Sequence, residues 1–357
     1  MENKIIQLSA IDPVVVSNIP EYKEEKIRGK DYVSYGKDNL FPNYLWDLYG
    51  TVASLQSIIN GTSDFICGND VICNVPSFEN KANKTGETVN DIVKKIATDL
   101  LIFGGFALQV IRNLDQTPGE IYALDFMKVR SDEKNEIFFY CDDWTKWGAK
   151  SLVYPKFGVN DLNPTSIFYY KGSITRGVYP TPIYGAALIA CELEKAINEF
   201  HLNNINNGFS SNLIININDG KPNEEQVKEI ERRVTEKFSG FQNAGRILLS
   251  FNDSAENATT VERLNGDDFD DKYSALSERS REQIFTAFRA TPNLFGFPNQ
   301  TTGFNAQEYA EAFKLYNRTV VRPMQNSIVD AFDKILGTKG SITITPFSIE
   351  GNENRVE

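Results

Sequence analysis

Apolar residues recur at helical spacing in several separate stretches of this chain, and the longest lie in its last third. From Asp267 to Arg289, Phe269, Tyr273 and Leu276 set a 4,3 step. Ser277 to Gln283 is wholly polar, and Ile284, Phe285 and Phe288 close the run as one amphipathic helix. Asp267, Asp268, Asp270 and Asp271 stand at its start, where carboxylates suit a helix N-terminus. A second helix is predicted from Asn305, with Glu308 completing a capping box, to a stop at Gly337. Its stripe is Tyr309, Phe313, Tyr316, Val320, Met324, Ile328, Phe332 and Ile335. Pro323 falls mid-stripe and predicts a kink, since the stripe resumes beyond it. The helices span about 34 and about 48 Å at 1.5 Å per residue. Between them, Thr291 to Phe304 holds no charge in a chain that is 24% charged. Two prolines and two glycines mark it as a loop, yet Leu294, Phe295, Phe297 and Phe304 are apolar. Such side chains suit a core, or a surface facing another chain or ligand.

Upstream, Met1 to Lys30 reads as a polar arm. Ser54 to Phe65 is amphipathic, Gly68-Asn69-Asp70 is a turn, and Thr88 to Leu101 is a helix broken by Gly104-Gly105. Phe106 to Arg112 alternates as a strand, and Ile121 to Val153 reads as a β meander. Ser166 to Tyr170 and Ser341 to Phe347 add possible edge strands, so the chain to Pro180 forms an α+β domain. Tyr184 to Asn206 is a helix with a narrow seam, Ala186, Ala190, Leu193, Ile197 and Phe200. A small α/β excursion follows: strand Asn212 to Asn218, charged helix Asn223 to Phe238, and strands Arg246 to Phe251 and Thr259 to Leu264. Two long helices therefore bracket a compact sub-domain.

The chain has 357 residues, enough for two or three structural regions, and a net charge of −11. That balance opposes tight phosphate neutralisation but does not exclude a protein that lets DNA move past without gripping it. Cys67, Cys73, Cys141 and Cys191 lack CxxC spacing and fit reduced thiols. No signal peptide is read at the N-terminus, and Leu100 to Ile111 is too short to span a bilayer, so a soluble protein with no membrane partner is expected. Chemistry is sparse. The single histidine, His201, lies on a polar helix face, no metal spacing occurs, and no phosphate loop or cofactor motif is present. Asp267, Asp268 and Asp271 share one helix end; N-terminal capping explains them, and a metal-dependent DNA-processing enzyme is the alternative. Glu229, Lys228, Arg232 and Arg233 interleave on a charged helix as a solvated face.

The order helix, α/β excursion, helix ending SREQIFTAFRATPNLFG, uncharged loop, and FNAQEYAEAFKLYNRTVVRPMQNSIVDAFDKILG resembles the portal proteins of tailed bacteriophages. Arg281, Ile284, Ala287, Phe288, Pro292, Leu294 and Gly296 follow that family's pattern, as do Phe313, Pro323 and Leu336. So do Tyr184-Gly185, Asn207-Gly208 and DLLIFGGFALQVIRN at Asp99 to Asn113. Thr291 stands where the family has a proline, Arg289 where it has glycine, and the C-terminal end is shorter than in most members. The resemblance implies an α+β portal-type fold. Its parts would be an arm (1–30), a wing (31–183), a stem helix (184–207), a clip (208–265), a second stem helix (266–290), a tunnel loop (291–304), a kinked wing helix (305–337) and a C-terminal strand and tail (338–357). It implies a non-enzymatic ring, usually of twelve copies, at one capsid vertex of the virion, assembled in the host cytoplasm. Partners would be the terminase large subunit, a head–tail adaptor, major capsid and scaffold proteins, and duplex DNA held weakly. On this reading Asn293, Leu294, Phe295, Phe297, Asn299 and Gln300 form the tunnel loop, and Ser277, Glu278, Ser280 and Arg281 the channel face of the stem. Lys228, Glu229, Arg232 and Arg233 would be a clip docking surface, and Pro323 the helix kink.

Overall fold

The computed structural model describes residues 5–8, 20, 22–26, 29–146, 148–158, 163–172, 176–206, 213–217, 225, 228–229, 232, 247–251, 267–297 and 306–347. Its first elements are β1 (Ile5–Leu8), α1 (Phe41–Thr51), α2 (Ala53–Cys67), β2 (Asp70–Cys73) and α3 (Val89–Phe103). Six strands follow: β3 (Gly105–Arg112), β4 (Pro118–Leu124), β5 (Val129–Ser131), β6 (Ile137–Tyr140), β7 (Leu152–Pro155) and β8 (Thr165–Lys171). Then come α4 (Leu188–Asn206), β9 (Leu213–Ile217), β10 (Ile247–Phe251) and α5 (Asp267–Phe288). The chain closes with α6 (Ala306–Tyr316), α7 (Arg322–Leu336) and β11 (Ile342–Thr345). It divides into two compact units, residues 1–18 with 192–280, and 19–191 with 281–357. The division falls inside α4 and α5, so neither helix belongs wholly to one unit.

In the larger unit, α2 and α3 pack together and α3 lies against β3. Thr88 and Asp91 form a reciprocal capping box that starts α3. Gly104 ends it at φ 81°, where a Cβ would stand 2.2 Å from the Thr181 carbonyl oxygen. β3 is the centre of an antiparallel sheet in the order β4-β3-β8, with Phe106, Ala107, Leu108 and Val110 buried. The predicted meander is thus divided. β4 joins β3, while β5, β6 and β7 form a second sheet, because Asp125 caps a short 3-10 turn that redirects the chain. β2 pairs antiparallel with β11. The sequence reading stopped at a turn here, since four residues reading DVIC carry little pattern and their partner strand lies near residue 344.

Arg130 is fully buried in this unit with no carboxylate beside it. Its Nε donates to Asn39 Oδ1 and its Nη2 to the Asn39 carbonyl, both at 2.6 Å. Nη1 reaches the Met127 and Val129 carbonyls at 2.8 Å, and the guanidinium lies over Trp144 and Tyr35. Burial draws its pKa down. Tyr35 stacks on Tyr179 at 4.2 Å and donates to the Pro180 carbonyl, which fastens residues 33–39 to the loop before α4.

The smaller unit holds a three-stranded sheet in the order β1-β10-β9, with β10 parallel to β9 and antiparallel to β1. Residues 5–8, read as part of a polar arm, therefore form a strand. Most of the predicted helix Asn223 to Phe238 and the predicted strand Thr259 to Leu264 lie outside the described residues. The buried residues of α4, Ala190 to Glu192, Glu194 and Ile197, coincide only in part with the predicted seam: Ala190 and Ile197 are buried, but Ala186, Leu193 and Phe200 are exposed.

The predicted Pro323 kink takes a different form. Asn317 to Val321 is a π-helical turn in which the Arg322 amide donates to the Asn317 carbonyl, five residues back. The wider turn sets Pro323 into the first turn of α7, where a missing amide hydrogen costs least.

Candidate functional site

The uncharged loop begins as a continuation of the core. Ile284, Phe285 and Phe288 bury the end of α5, and the Ala290 amide donates to the Phe285 carbonyl. Arg289 takes a left-handed φ of 55°, the position at which a glycine is the unstrained choice. Thr291 is extended, as a residue before proline must be, and Pro292 to Phe295 make a 3-10 turn ended by Gly296 at φ 83°. Leu294 and Phe295 are buried. Phe295 packs against Phe65, Phe285 and Tyr316, with ring centroids 5.7–6.2 Å away, and its carbonyl accepts from Ser57 Oγ at 3.0 Å. Gly61 leaves room for that ring: a Cβ there would sit 2.8 Å from Phe295 Cδ1.

Asn293 and Phe297 remain half-buried. Phe297 meets the edge of Phe285 at 5.4 Å and lies beneath the Arg281 guanidinium, 5.3 Å from its centroid. Asn299 and Gln300 lie outside the described residues. Of the proposed loop residues, two anchor the segment, two lie at its surface margin, and the remaining pair stands beyond the described turn. The Arg281–Phe297 contact has no counterpart in the sequence reading, because cation–π partners 16 residues apart carry no periodic signal.

Along α5, Glu278 is exposed and Ser277 and Arg281 are half-buried. Ser280 is buried and its hydroxyl donates to the Leu276 carbonyl, so its polarity is spent within the helix. The side chains of Asp267, Asp268, Asp270 and Asp271 lie outside the described residues, although the helix does begin at Asp267. His201 rests edge-on to Tyr273 at 5.6 Å, beside Phe200. On the charged helix, Arg232 makes a two-pronged pair with Glu229 at 3.0 and 3.1 Å, Lys228 is exposed, and Arg233 is not described. All four cysteines are buried, and burial pushes the Cys67 thiol up to about 11, which keeps it protonated at neutral pH. Among the described residues no group of three His, Cys, Asp or Glu side chains is placed to hold a metal, and no helix is long and apolar enough to cross a membrane.

Residues 79–352 match the family model for phage portal proteins. The chain is 23% identical over 249 residues to an uncharacterized protein of Rickettsia bellii, covering 67% of this chain and 60% of that protein. A second uncharacterized protein, from Rickettsia felis, is 30% identical over 122 residues, 34% of this chain and 30% of that one. The chain thus spans at most 60% of these relatives' length. Its fold is that of the neck of a native gene transfer agent particle computed with C12 symmetry (TM-score 0.55, 18% identity, 85% of this chain and 84% of that one). It also matches an HK97-family phage portal protein from Corynebacterium diphtheriae (TM-score 0.50, 13% identity, 81% of this chain and 88% of that one). Helix, loop and π-turned helix, in that order and inside a match spanning most of the sequence, place this chain in the phage portal protein family.

Proposed function

We propose that the chain is the repeating subunit of a ring at one capsid vertex, through which duplex DNA enters and leaves. The family match over residues 79–352 carries this reading, and the likeness to a neck with C12 symmetry supports twelve copies. Large apolar side chains left open in the single chain fit lateral packing between neighbours: Ile189 is 70% exposed and Leu202 57%. Asn293, Phe297, Asn299 and Gln300 would face the passing duplex, with Leu294 and Phe295 as their anchor. Ser277, Glu278 and Arg281 would line the channel above them. Lys228, Arg232 and Arg233 would contribute to the surface that meets the terminase large subunit or a head–tail adaptor. The role is mechanical: channel, gate and docking platform, without catalysis.

Single-particle electron microscopy of the purified chain, with native mass spectrometry, tests the reading. The expected result is a closed ring with a central opening wide enough for duplex DNA and a mass near twelve subunits. A compact single copy under all assembly conditions, including within particles, overturns it.

A further inference from the structure

A cleft of about 310 Å³ opens on the larger unit between α1, α3 and the turn after β4, away from the loop described above. Trp46 stands on one side, 46% exposed, and Phe103, Leu124 and Met127 supply apolar wall. Asp99, Asp125 and Lys95 line the same cleft. Asp125 is occupied: its Oδ1 accepts from the Met127 amide at 3.1 Å, and its Oδ2 faces Lys128 at 3.7 Å. Asp99 has neither a hydrogen-bond nor an ion-pair partner among the described residues. Lys95, one helical turn earlier, would neutralise it at the usual i,i+4 spacing, but Lys95 is held by Glu87 instead. Burial, with the Asp125 charge adding to it, holds the Asp99 carboxyl well above the usual carboxylate range. In that setting the ionised form of Asp99 is costly, and a cation entering the cleft favours it.

We propose that this cleft is a receptor for an arginine side chain presented by a partner protein other than a second copy of this chain. Asp99 has no partner among the described residues and can take a guanidinium fork, half-exposed Trp46 suits a flat cation, and the apolar wall suits the aliphatic stem. Lysine makes poorer use of that geometry, because its ammonium is a compact, strongly hydrated point charge. A divalent metal would find one uncommitted carboxylate and no third ligand among the described residues. The net charge of −11 favours a basic partner segment in general, and the cleft gives it one specific anchor.

The test titrates the purified full-length chain with acetyl-Gly-Arg-Gly-amide and follows the fluorescence change that the Trp46→Phe variant lacks. Saturable binding is expected with a dissociation constant on the order of 1 mM. The citrulline peptide, which keeps the shape and loses the charge, should bind at least tenfold more weakly, and Asp99→Asn should weaken the arginine peptide at least tenfold. Asp99→Asn keeps the size of the side chain and removes its capacity to ionise, and circular dichroism of the variant verifies that it is folded. Equal response to both peptides, or unchanged binding by folded Asp99→Asn, overturns the proposal. Native mass spectrometry separates the sources: an unchanged subunit number in Asp99→Asn is expected, whereas loss of assembly would assign the arginine to a neighbouring copy and overturn the choice of partner.

Discussion

Arg130 shows how much a single buried side chain can organise. It is charged, yet it donates four hydrogen bonds to carbonyl and amide oxygens and lies over two aromatic rings in place of pairing with a carboxylate. The oxygens come from the turn at Asn39 and the strand approach at Met127 and Val129, two parts of the chain separated by some ninety residues. Arg130→Met would take this donor from the Asn39, Met127 and Val129 carbonyls, while Asn39 Oδ1 keeps the Tyr35 amide, at about 1–3 kcal/mol for each acceptor that stays unsatisfied. Arg130→Lys keeps the charge but lacks the planar fork, so it should lose an intermediate amount. Urea unfolding should rank the three proteins wild type, Lys, Met; equal midpoints would show that the network contributes nothing. None of this was legible beforehand. An arginine in the run KVRSDEKN looks like one more surface charge, and only the tertiary approach of Tyr35, Asn39 and Trp144 gives it an interior.

At the scale of elements, the long helices were the legible part, because their apolar steps are local. α5 begins and ends within a residue of its predicted bounds. The helix predicted from Thr88 to Leu101 is α3, which Thr88 caps together with Asp91. The π turn was also written in the sequence, in a form easy to pass over. From Tyr316 to Phe332 the stripe runs in four successive steps of four, and a 3.6-residue helix accumulates about 160° of lag over that distance. One wide turn absorbs much of it, and the same turn accommodates Pro323. The two features should therefore be coupled. Deleting Thr319 removes the extra residue and drives the Pro323 ring against the carbonyl of the preceding turn, at about 3 kcal/mol or more. Adding Pro323→Ala should restore a plain α-helix and recover at least half of the loss in thermal or denaturant unfolding. Additive effects in that double-mutant cycle would separate the proline from the turn. The seam of α4 is only partly buried in the single chain, because its burial depends on what packs beside it and a 4,3 step alone does not choose between neighbouring faces.

For the whole molecule, sequence order and family resemblance carried more than any single motif, and strand pairing carried least. Among the described residues each of the four sheets is short, and the pairs β2–β11 and β1–β10 join segments more than two hundred residues apart. The charge balance remains the clearest molecular property. On the proposed reading, an acidic conduit with an uncharged loop would repel phosphates and let a duplex slide, whereas added cations would release counterions and hold it. Replacing Asn299 and Gln300 with lysine should slow packaging and make its rate rise with salt, as measured in a DNA-packaging assay across ionic strengths. An unchanged, salt-independent rate would remove that loop from contact with DNA. The pairing of β2 with β11 has a further consequence. Val71 is made 273 positions before its partner Ile344, which at ordinary translation speeds means a wait on the order of 10 to 50 s. For that interval β2 is an open edge, and Gly68 lacks the Thr345 carbonyl that will lie over it. Maturation of the larger unit is therefore paced by elongation, and the nascent polypeptide needs shielding of this edge before any ring can start to assemble.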